Sequence, residues 1–163
     1  MEIITNKSPQ KLQMEDLRRI MTIFDKIIKL ENDIDYAHIT TDELFKYQPF
    51  MLSMLMGYKL DLAKAELNEV LNLYITIWEY FKIDPILKIK AITEAQFDRI
   101  HESNIELFAT KKTVKMKVVP VLYAAILQRF ENHPVLFSME PHPKTAVMIG
   151  TKSIIECFQE LTT

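Results

Sequence analysis

The sequence predicts an all-α fold, a single domain over 1–163 with five or six helices. Three observations carry that expectation. Apolar residues recur at three- and four-residue spacing along most of the chain, the period of helices that are dry on one side. Prolines and Thr-x-x-Glu/Gln spacings fall where those runs begin or end. Only two glycines, Gly57 and Gly150, occur, where average usage of about 7% would supply about eleven. Glycine provides the left-handed backbone conformations of tight hairpins, dinucleotide turns and phosphate-cradling loops. A chain this poor in it has few means of building those devices.

Residues 1–10 are polar and expected to be poorly ordered, and the first helix runs over 11–32. Leu17, Ile20, Met21, Phe24, Ile27 and Ile28 form its dry face, with Arg18, Arg19, Thr22, Asp25, Lys26 and Lys29 opposite. The polar stretch 31–35 reads as a break. Thr40 and Glu43 have capping-box spacing, so a second helix should begin near Thr41. Pro49 either kinks it or opens another. The run Phe-Met-Leu-Ser-Met-Leu-Met over 50–56 is apolar nearly all round. A helix without a wet face is one surrounded by protein, so 50–60 is placed at the centre of the core. The next helix spans 62–82, with Leu67, Val70, Leu71, Tyr74, Ile77, Trp78 and Phe81 inward. Glu66, Glu69, Asn72, Thr76 and Glu79 are its polar complement. Pro85 to Ile92 is a connector, and Thr93 with Gln96 opens a helix reaching Thr110.

The stretch 113–118 alternates with period two, a strand pattern without a partner strand. An isolated strand leaves its backbone groups unpaired. The expectation is therefore a helix over 112–130, disturbed at Pro120, with 118–128 as a second apolar central helix. Residues 131–144 contain Pro134, Pro141 and Pro143 and read as a loop. A last helix over 145–161 presents Val147, Met148, Ile154, Ile155, Phe158 and Leu161. Pro49 and Pro120 each open an apolar helix followed by an amphipathic one, so the pairs 41–82 and 112–161 have the form of a weak duplication. Most identities fail, and two core helices look alike simply because both are core.

The formal charge of −2 argues against nucleic acid or an anionic membrane as partner. Cys157 is the one cysteine, so no internal disulfide forms and the reducing cytoplasm is the expected compartment. Residues 1–7 are too short and polar for a signal peptide. No uncharged apolar stretch approaches the length of about 18–20 residues that spans a bilayer. The expectation is a soluble cytoplasmic protein.

Catalytic motifs are scarce. No serine lies in a Gly-x-Ser-x-Gly elbow, and Gly150-Thr151-Lys152 lacks the upstream glycine of a phosphate loop. Asp33, Asp35 and Asp42 miss the register and glycine of a calcium loop. His38, His101, His133 and His142 show no His-x-x-x-His spacing. Glu94, Asp98, Glu102 and Glu106 do climb one side of a helix, with His101 close by. Glu94, Asp98, His101 and Glu102 are thus the candidate ligands of a small metal-dependent helical hydrolase, in which the ion polarises an oxygen or activates water. The competing reading is a solvated face, or one offset by Lys111, Lys112, Lys115, Lys117 and Arg129 on the next helix. No cofactor is expected. Val135, Leu136, Phe137 and Met139 are apolar for a loop and either tuck onto the core or contact another chain. The leading functional reading is a non-catalytic protein–protein interaction module, self-associating or bound to a protein partner, with those four residues as the candidate contact.

Overall fold

The computed structural model describes residues 9–110 and 120–163, and among them there are helices and no strand. In chain order these are α1 (Pro9–Leu30), α2 (Ile34–Tyr47), α3 (Pro49–Tyr58), α4 (Lys64–Phe81), a 3-10 turn (Pro85–Lys88), α5 (Glu94–Ala109), α6 (Pro120–Asn132), the one-turn α7 (Pro134–Phe137) and α8 (Pro141–Thr162). The all-α expectation stands. The stretch 113–118, where strand and helix compete in the sequence, lies outside the described residues, as does most of 1–10.

Local chemistry sets most of the boundaries. Asp33 caps α2 by accepting the Tyr36 N–H at 3.0 Å, so the helix begins well before Thr41. Thr40 is no cap; it lies buried in the helix interior. Of the two alternatives for Pro49, it opens a new helix, α3, its missing N–H being one that no helix bond needs. Thr93 caps α5 through the Gln96 N–H at 3.1 Å. The Gln96 side chain does not close a capping box; it donates to the Cys157 carbonyl at 3.2 Å, tying α5 to α8. The prolines of 131–144 start helices rather than exclude them. Pro134 begins α7, and α8 starts at Pro141, ahead of the predicted Thr145.

The centre of the core is not where the sequence predicts it. In α3 only Met51 and Leu55 are buried, and in α6 Ala124 is exposed while Leu122, Ala125, Ile126 and Phe130 face inward. The central helices are instead α4 and α8. From Leu73 to Glu79 every residue of α4 is buried, as are Gly150, Thr151, Ser153, Ile154, Ile155, Cys157, Phe158 and Gln159 of α8. The two pack on one another, with Phe158 against both Trp78 and Phe81. The reason is legible in hydrogen bonds. Thr76 returns its hydroxyl to the Asn72 carbonyl at 2.8 Å, Thr151 to Val147 at 2.7 Å and Ser153 to Ile149 at 2.8 Å. A hydroxyl satisfied by its own helix can be buried without a partner elsewhere. Such residues look wet in a hydropathy pattern and behave as small packing units in the fold.

Gly150 completes this junction. A methyl group there would stand 2.5 Å from the Tyr58 hydroxyl and 3.4 Å from that of Tyr74. The two hydroxyls bond each other at 3.0 Å. The absent side chain is what lets α3 and α4 approach α8 at this level.

Candidate functional site

The acidic stripe of α5 lies on the outside of the fold. Glu94, Asp98, Glu102 and Glu106 are all exposed, while Phe97, Ile100 and Asn104 face inward. His101 is half-buried and stacks on the Phe97 ring at 4.8 Å. Burial lowers its pKa, against the opposing pull of Asp98 and Glu102. Glu66 accepts the Ala63 N–H at 2.9 Å, helping to start α4. Glu69 faces Arg129 at 3.8 Å and His133 at 3.4 Å. Among the described residues no three His, Cys, Asp or Glu side chains converge to hold a metal ion.

Polar contacts tie the other side of α5 to α8. Arg99 pairs with Glu160 at 2.5 Å, and Asn104 donates to Ser153 at 3.0 Å while accepting from Lys152 at 2.6 Å. Lys152 also pairs with Glu156. Lys111, Lys112, Lys115 and Lys117 lie outside the described residues, and Arg129 turns to α4 instead.

A second polar cluster, unforeseen from the sequence, joins α1, α2 and α4. The buried Glu79 carboxylate meets Lys26 at 3.0 Å and Lys82 at 3.0 Å, and accepts the Tyr36 hydroxyl at 3.1 Å. Lys82 also reaches Glu43 at 3.3 Å, which accepts the Trp78 indole N–H at 2.8 Å. Burial pushes the Glu79 carboxyl up, but the Lys82 and Lys26 ammoniums outweigh it and hold the group below its ordinary value. The cluster is internally matched in charge, which suits a structural clamp. Gln48 is another such clamp. Its amide donates to the Leu87 and Lys90 carbonyls at 2.9 and 3.1 Å and accepts the Ile92 N–H at 3.0 Å. Neither residue carries a sequence motif.

Of the four apolar residues at 135–139, Leu136 and Met139 are buried in the core, Val135 is half-buried and Phe137 is exposed. The segment tucks inward, so Leu136 and Met139 offer no free surface to a partner. His133 caps α7 by accepting the Val135 N–H at 3.3 Å. Cys157 is buried, and burial pushes its thiol up to about 12. That keeps it protonated and poorly nucleophilic at neutral pH.

The outer face of α1 is a different matter. The predicted dry face divides in two. Ile20, Ile23, Phe24 and Ile27 turn inward; Ile23 and Ile27 meet Ile75, with Tyr36 and Tyr80 against them. Arg19 and Asp16 fasten this side to α4 through the Tyr80 carbonyl and hydroxyl. Met14, Leu17, Met21 and Ile28 are left outside, at 57, 44, 50 and 54% exposure. Their spacing puts them in one line along the helix. Among the described residues, no helix is long and apolar enough to cross a membrane. In comparisons with protein-family models, curated proteins and solved structures, nothing matches this chain.

Proposed function

We propose that this chain is a non-catalytic protein–protein interaction module whose contact surface is the outer face of α1. The observation that carries the reading is the line Met14–Leu17–Met21–Ile28. Scattered exposed apolar side chains are ordinary on a protein surface, whereas a continuous apolar stripe marks a place that another surface covers. Methionine suits such a face because its unbranched side chain adapts to the shape it meets. The 135–139 segment contributes Phe137 at most. The metal-hydrolase reading has no comparable support, since the α5 acids stand singly in water and Glu66 and Glu69 are engaged elsewhere.

The test is a photo-reactive amino acid placed at Leu17 in the full chain, with the same group at exposed Glu94 as control. The proposal predicts a discrete covalent protein adduct from position 17 and none from position 94. No adduct at 17, or the same diffuse labelling at both positions, refutes it.

A further inference from the structure

Both ring nitrogens of His133 are engaged, and they ask for opposite things. Nδ1 accepts the Val135 N–H at 3.3 Å, so it carries no proton. Nε2 stands 3.4 Å from a Glu69 carboxylate oxygen, a contact that suits a donor N–H. One form of the ring satisfies both, the neutral imidazole with its proton on Nε2. Histidine is also the side chain whose ordinary ionisation falls between about pH 5 and about pH 8. A proton added at Nδ1 would point at the Val135 N–H, setting donor against donor.

What His133 holds is α7. Pro134 has no N–H, so Val135 supplies the first donor of the turn. Behind it the Phe137 N–H bonds the His133 carbonyl at 2.8 Å, Ser138 bonds Pro134 at 3.1 Å and Met139 bonds Leu136 at 3.3 Å. A single turn has no helical interior to hold it when its cap is lost. Leu136 and Met139, seated by this turn, are buried in the core. The charged groups around the ring decide which bond yields. Glu69, from α4, favours the imidazolium and keeps Nε2 in place. Arg129, from α6, opposes a second cation but stands farther from that carboxylate, at 3.8 Å, with its guanidinium over the Phe24 ring. Glu131, two residues before His133, is exposed, and Lys144 of α8 lies at the far end of α7, donating to the Phe137 carbonyl at 3.3 Å. The ring therefore takes its proton while still held by Glu69, and the cap is what breaks.

We propose that His133 is a pH-sensitive latch on α7: protonation of its ring releases the Val135 N–H and loosens the turn that seats Leu136 and Met139.

Amide hydrogen exchange of the full chain, followed by NMR at about pH 8 and about pH 5, tests this across the range in which imidazoles ionise. Each rate is divided by that of an unstructured amide at the same pH. The amides of Phe137, Ser138 and Met139 should open about fivefold more in acid, the equivalent of a lost N-cap of about 1 kcal/mol. Ile100 and Asn104 in α5 should keep their protection. Nitrogen shifts of the His133 ring should report the Nε2–H form at the upper pH. His133→Asn keeps a side-chain oxygen that caps well and does not titrate; it should match wild type at the upper pH and lose the acid response. His133→Ala has no cap and should be open at both. Glu69→Gln removes the charge that favours the imidazolium and should move the response to lower pH. Equal protection of α7 at both pH values, an acid response that His133→Asn retains, the same loss in α5, a response unmoved by Glu69→Gln, or a ring with its proton on Nδ1 at the upper pH would overturn the proposal.

Discussion

Replacing Gln48 by leucine isolates the contribution of one buried amide to the path of the chain between α4 and α5. The side chain is fully buried and holds three backbone groups, the Leu87 and Lys90 carbonyls and the Ile92 N–H. Leucine fills similar space and satisfies none of them. The bonds to Leu87 and Ile92 are buried, whereas the one to Lys90 is partly open to water. Two buried groups left unpaired at about 1–3 kcal/mol each give a loss of about 2–6 kcal/mol. That is a large share of a typical stability of about 5–15 kcal/mol. Urea unfolding followed by circular dichroism should show a lower midpoint with an unchanged slope. Gln48→Glu sharpens the argument. Its carboxylate can still accept from Ile92 but would face two carbonyl oxygens, so the variant's carboxyl pKa is raised on folding. Its deficit relative to wild type should therefore shrink as pH falls and the carboxyl gains a donor proton. A Gln48→Leu protein within about 0.5 kcal/mol of wild type, the range of an ordinary surface change, would refute the reasoning.

Two further outcomes are expected. Gly150→Ala should destabilise the protein by up to about 2 kcal/mol, because overpacking costs typically about 1–3 kcal/mol while alanine recovers about 1 in helix propensity. The clash is with the Tyr58 hydroxyl at 2.5 Å, so the same change made in a Tyr58→Phe background should be neutral or stabilising when urea midpoints are compared. Glu79→Gln should lose about 1.5–3 kcal/mol at neutral pH, the range for a hydrogen bond to a charged group. The Glu79 carboxyl is held below its ordinary value in the folded state. Its contribution is therefore present above the unfolded pKa and is lost as pH falls through the folded one. The gap between wild type and Glu79→Gln in thermal unfolding should close in acid.

The helices were legible wherever an apolar stripe and a cap or proline agreed. Thr93 before α5 and Pro49 before α3 are such places. Which helices form the centre was not legible, because hydropathy registers the side chain and not the bond it makes. Phe50, Leu52 and Met54 are only half-buried, while Thr76, Thr151 and Ser153 are buried with their hydroxyls turned back onto their own helices. Glu79 reads as a solvated residue because Lys82, three residues on, offers only a local surface pair, and Lys26 becomes a partner only after α1 and α4 pack. The two alternatives for the 135–139 segment, tucking onto the core or meeting another chain, could not be separated from its composition. Leu136 and Met139 met a core that accepted them, whereas α1 carries more apolar surface than its neighbours cover. Periodicity alone cannot divide a wide stripe into the part that packs at home and the part left over.

That division can be measured on two adjacent residues. Ile20 is fully buried and Met21 is half exposed on the same helix. Urea unfolding of Ile20→Ala and Met21→Ala, at a concentration where sedimentation shows monomer, tests it directly. The account predicts a loss of about 2–5 kcal/mol for the first, as for a core isoleucine, and a change within about 0.5 kcal/mol for the second. Comparable losses at both positions would mean that Met21 belongs to the chain's own core, and the outer face of α1 would have nothing to offer a partner.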